Sequence, residues 1–154
     1  MHQLRLCLLL AISTIVSLQA QQPKTYNSSE IYEAVQKLSD PEKMVYVIVK
    51  LNQSVTNGGF SEFYENSFGI FAPEITHVLN EIKAVASAEI VSKTLVVVNP
   101  KGLLDNPYKE MVFNIQLSTQ QKEQLYAHDM RYDQLQDQEN LEDLLGDYLQ
   151  EFFK

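Results

Sequence analysis

Apolar residues recur at intervals of three and four along most of this chain, and that period leaves few folds open to it. The clearest case lies near the C terminus. Leu141, Leu144, Leu145, Tyr148, Leu149, Phe152 and Phe153 fall on one helical face, with Glu142, Asp143, Asp147 and Glu151 opposite. Ile31, Ala34, Val35 and Leu38 keep the same spacing, as do Ile75, Val78, Leu79, Ile82 and Val85. No single stripe of this kind is stable by itself, so several must share one interior. The expectation is an all-α protein, a compact multi-helix bundle of about six to seven short amphipathic helices.

Helix boundaries are marked by local chemistry. Asn27, with Glu30 after it, has the form of a capping box for the first helix. Ser39-Asp40-Pro41-Glu42 stops that helix and opens the next, with Asp40 as cap and Pro41 at the first helical position. Residues 44–51 are rich in β-branched side chains and would suit a buried strand, but the preceding cap and the length of the apolar run favour a helix. Ala72-Pro73-Glu74 and Ser87 open two further helices. Asn99-Pro100-Lys101-Gly102 reads as a loop and Asn106-Pro107 as a second break. Residues 111–117 have no clear class. Ser118, with Gln121 three residues on, starts a helix running to about Gln134.

Residues 1–20 stand apart. A basic start at Arg5 precedes an uncharged run of 15 residues from Leu6 to Ala20, which is the layout of a secretory signal peptide and is short of the ~20 residues that span a bilayer. Residues 21–26 are expected to be a disordered leader, and 27–154 a single helical domain. On this reading the protein is exported, to the periplasm or the medium, and no membrane span remains after cleavage. Cys7, the one cysteine, leaves with the signal, so stability rests on packing without disulfides. Cleavage also removes Arg5, one of 12 basic residues. That leaves 11 against 20 acidic residues, a net charge of −9. Such a charge argues against nucleic acid as a partner and favours a basic protein.

The acidic residues concentrate late in the chain. Asp133, Asp137, Glu139, Glu142, Asp143, Asp147 and Glu151 form a candidate binding surface, although carboxylates opposite an apolar stripe are also the ordinary solvated face of a helix. Chemistry is harder to find. His77 and Glu81 share a helix face with Glu74 one turn earlier, but no second cluster completes a metal site. His128-Asp129 is isolated. There is no nucleophile elbow and no phosphate-binding glycine loop. The sequence therefore gives no catalytic residue, no metal site and no cofactor, and nothing in it fixes an oligomeric state.

One segment is distinctive: Asn57-Gly58-Gly59-Phe60-Ser61-Glu62-Phe63-Tyr64-Glu65-Asn66-Ser67-Phe68-Gly69. Its glycines can make a tight interhelical turn with Phe60, Phe63 and Tyr64 filling the core beneath, and Asn57 and Asn66 bonding the turn backbone. Alternatively Asn57, Tyr64 and Asn66 line a small-ligand or enzymatic pocket. The segment resembles the signature of a bacterial family of DNA-mimic proteins, whose shared domain has no assigned function. In that family an Ile-Gly-Ala follows where this chain has Ile82-Lys83-Ala84, so Lys83 departs from the pattern. The resemblance runs with most force over residues 31–98. It implies an all-helical fold. For the best-known type it implies an acidic face that imitates duplex phosphate and occupies a DNA-binding regulator. Export would remove such a protein from cytoplasmic regulators. An immunity-type inhibitor of a basic toxin also suits the size, charge and compartment.

Overall fold

The structure is a computed structural model that describes residues 28–152; the signal, the leader and the Asn27 cap read from the sequence lie outside the described residues. Among these residues the chain forms seven α-helices, one 3₁₀ turn and no strand. The helices are α1 (Ser28–Gln36), α2 (Asp40–Glu65), α3 (Ala72–Glu81), α4 (Val85–Val98), α5 (Asp105–Phe113), α6 (Thr119–Leu135) and α7 (Leu141–Phe152), with the 3₁₀ turn Phe68–Phe71 between α2 and α3. The all-α expectation holds. One member is not short: α2 spans 26 residues, because residues 44–51 are helical and run on to a kink at Gly58 and Gly59, past which a second helical stretch reaches Glu65. Their β-branched side chains are tolerated because the helix is enclosed. Val47, Ile48 and Leu51 are almost wholly buried.

One apolar cluster joins side chains from α1 to α7. The aromatic residues form its centre. Phe63 packs edge-on against both Phe60 and Tyr64, and Phe60 against Tyr132 of α6. Tyr32 of α1 stacks on Phe71 at 5.6 Å. On α7, Leu141, Leu145 and Leu149 are buried, as the stripe required.

Several boundaries differ from the sequence expectation. The second helix is capped one residue earlier, at Ser39, whose amide and hydroxyl both donate to the Glu42 carboxylate. Val85 is not on the apolar face of α3. It opens α4 and is 60% exposed. Ser87 does not precede α4 but lies in its first turn, fully buried. Asn106-Pro107 does not break the chain. It sits in the first turn of α5, where proline's missing N–H is not needed. The Ser118–Gln121 capping box forms as expected.

The end of α3 explains the residue that departs from the family pattern. Lys83 has φ +67°, its amide donates to the Asn80 carbonyl, and the Ala84 amide donates back to Leu79. This is a Schellman closure, whose left-handed residue is most often glycine. Lys83 takes that conformation without the glycine.

Candidate functional site

The distinctive segment makes the expected turn between two helical stretches, as a sharp kink within the span Asp40–Glu65. Gly58 (φ −155°, ψ 17°) and Gly59 (φ 73°, ψ −174°) leave helical geometry, and the helix resumes at Phe60. The backbone of Gly59 lies in a region essentially restricted to glycine. Space is the second constraint, since a methyl group there would stand 2.7 Å from Cγ of Asp129. That contact is the key to the motif. Asp129 on α6 accepts a 2.7 Å hydrogen bond from the Phe60 amide. The break exposes an N–H that a continuous helix would have satisfied, and the carboxylate from 69 residues away caps it. Half-burial raises the Asp129 pKa against the lowering effect of the Phe60 bond, and Asp133 nearby raises it further.

The aromatic residues of the segment are internal. Tyr64 is fully buried, and Thr94 spends its one hydroxyl proton on the Val91 carbonyl, so the Tyr64 hydroxyl donates to Thr94 at 3.0 Å. Burial pushes the Tyr64 pKa far above its ordinary value, which keeps it a donor. Gly69 lies against its ring: an added methyl would be 2.6 Å from Cε1. Tyr108 of α5 donates to the Gly69 carbonyl from the other side. Asn57 and Asn66 are exposed, and neither side chain hydrogen-bonds another described residue. The structure thus separates the three side chains proposed to share a pocket, with Tyr64 in the core and the two asparagines outside it. It assigns the segment to joining α2, α6 and the 3₁₀ turn. A groove of about 230 Å³ does occur between α4 and α6, lined by Ala86, Glu89, Ile90, Arg131, Gln134, Leu135 and Gln138, none of them from the segment.

The seven carboxylates of the expected acidic surface divide. Asp133, Asp137, Glu142, Asp143, Asp147 and Glu151 are exposed. Glu139 is half-buried and turned inward. Its carboxylate accepts from the amides of Ala86 and Ser87 at 3.0 and 2.8 Å and from the Ser87 hydroxyl at 2.7 Å. It is the cap of α4, whose own preceding residue, Ala84, has no side chain able to cap. Sequence reading missed this role, and that of Asp129, because each pairing crosses more than 50 residues.

The remaining titratable groups are dispersed. His77 stands 3.4 Å from Glu81 on the exposed side of α3, while Glu74 turns to Lys43 at 3.8 Å. His128 keeps a lowered pKa, through burial first and then through Arg131 and Lys93, and its buried Nδ1 has no hydrogen-bond partner. Lys93 itself pairs with Glu89.

A family model described as DMP19-like protein matches residues 36–152, which takes in the broken helix, both internal caps and the exposed carboxylates. The chain belongs to the DMP19-like family. No curated protein and no solved structure matches it. The match reaches well past the segment that first suggested the family, through α6 and α7. Among the described residues, no helix of this DMP19-like chain is long and apolar enough to cross a membrane.

Proposed function

We propose that this chain is an exported, non-enzymatic protein that binds a basic protein partner through the outward carboxylates of α6, α7 and the turn between them. The observation that carries this reading is the state of six side chains. Asp133, Asp137, Glu142, Asp143, Asp147 and Glu151 are exposed, and none forms an ion pair with a described cation. The described lysine and histidine pairs go to Glu65, Glu74, Glu81 and Glu89 instead. The six are therefore left for a partner that brings its own positive charge. An immunity-type inhibitor of a basic toxin is one protein of this kind. Residues 1–20 support export through their basic start and uncharged run.

Membership of the family favours a second reading, a DNA mimic that occupies a DNA-binding regulator. The export read from residues 1–20 weighs against it, since an exported protein does not meet cytoplasmic regulators. N-terminal sequencing of the cellular protein separates the readings: a start near Gln21 supports export and removes the regulator. A pull-down at low and high salt tests the partner. The reading expects a basic protein whose capture weakens as salt rises; the absence of any salt-sensitive basic partner would refute it.

A further inference from the structure

The outer face of α6 carries more than charge. Glu123, Tyr126, Met130 and Asp133 are all exposed, at the spacing i, i+3, i+7 and i+10 that keeps them on one stripe, and the exposed Asp137 follows in the turn just past the helix. Tyr126 is 64% and Met130 52% exposed, two of the few large apolar side chains left in water. The helix is held along its adjoining face by Leu125, Asp129 and Tyr132. The stripe is therefore an unpartnered face with an apolar centre and acidic ends. No described cation pairs with Glu123, Asp133 or Asp137.

We propose that this stripe docks a basic amphipathic helix of the partner, with apolar side chains seated on Tyr126 and Met130 and lysine or arginine reaching Glu123, Asp133 and Asp137. The inference rests on the basic-partner reading and sharpens it. Two features select the occupant. The heptad-like spacing matches the a/d seam along which one helix packs on another. The flanking carboxylates require positive charge beside the partner's apolar seam. Methionine and tyrosine suit such a contact, because one adapts its shape and the other adds area at low entropic cost. A surface that only imitated phosphate would have no use for either.

The full chain, freed of any N-terminal signal, is titrated with two fluorescent peptides of equal charge and about 18 residues, or five helical turns. One has leucine along a seam and lysine elsewhere; the other replaces the leucines with glutamine. At ~0.15 M salt, where the Debye length is ~8 Å, the leucine peptide should bind about tenfold more tightly, a difference of ~1.4 kcal/mol. Tyr126→Ser with Met130→Ser, both at exposed positions, should abolish that advantage. Neutralising Glu142, Asp143 and Asp147 on α7 should weaken both peptides equally. Equal binding of the two peptides, or a double variant that still prefers leucine, would overturn the stripe and leave the basic-partner reading standing. Failure of both peptides at low salt as well would refute that reading too. A dimer of the chain that dissociates on the double substitution would place a second copy on the stripe and overturn the proposal.

Discussion

Asp129 and Glu139 belong to the same acidic stretch as Asp133, Asp137 and Glu142, yet their carboxylates are taken up by backbone amides of the fold. The inward pair caps broken backbone: Asp129 the restart of α2, Glu139 the first turn of α4. The outward residues touch no described cation and hold nothing in place. One charge type thus does two jobs, and net charge cannot separate them. What separates them is whether an unsatisfied N–H lies within reach. A carboxylate that meets one in a half-buried place stabilises the fold, while an exposed one contributes close to nothing by itself.

Substitutions can break this comparison in order of effect. The largest is expected from Gly59→Ala, which combines a glycine-only backbone with a methyl driven into the Asp129 carboxylate; a loss of about 3 kcal/mol or more should appear in urea unfolding. Glu139→Ala removes three hydrogen bonds to the start of α4 and leaves the buried Ser87 amide without a partner. It should cost about 2–3 kcal/mol by the same measurement. Asp129→Ala should cost less, about 1–2 kcal/mol, because one bond is lost and a repelling neighbour of Asp133 goes with it.

Asp129→Asn sharpens the contrast further. The amide oxygen can still accept from Phe60 without a buried charge. Sign matters here. The Asp129 pKa is raised in the folded state, so the native protein holds this proton more tightly than the unfolded chain. Its contribution favours folding below the ordinary carboxylate range and is lost as pH rises through the raised value. Asp129→Asn should remove that fall from a stability profile followed across acidic pH, with a change of under about 1 kcal/mol at neutral pH.

The sequence disclosed the parts of the fold that rest on local pattern. The stripe Leu141, Leu145 and Leu149, the Ser118–Gln121 box and the helical reading of residues 44–51 all follow from period, capping or length within one segment. The features it hid are of another kind. Helix α6 buries only Leu125 and Tyr132, so its period is weak, and it is held by polar pins: Asp129 to Phe60, Tyr132 to Asn52 at 2.6 Å, and Gln121 to the Val97 carbonyl at 3.1 Å. Such bonds link residues 24 to 80 positions apart, and no window along the chain contains both ends. The glycine pair shows the same limit. A turn between two helices at Gly58 and Gly59 is readable in the sequence, but that a distant aspartate caps the second of them is not. Val85 was misplaced because its spacing continues a stripe that the left-handed Lys83 has already ended.

The division between inward and outward carboxylates is tested most directly by thermal unfolding of two multiple variants beside the parent chain. One carries Asp129→Ala and Glu139→Ala; the other neutralises Asp133, Asp137, Glu142, Asp143, Asp147 and Glu151 as their amides. The first should melt about 6 °C or more below the parent, from a combined loss of ~3–5 kcal/mol at roughly 2–8 °C for each kcal/mol. The second should melt within a few degrees of it, or slightly above, as like charges cease to repel. Equal losses in the two variants, or a fall confined to the second, would contradict the account.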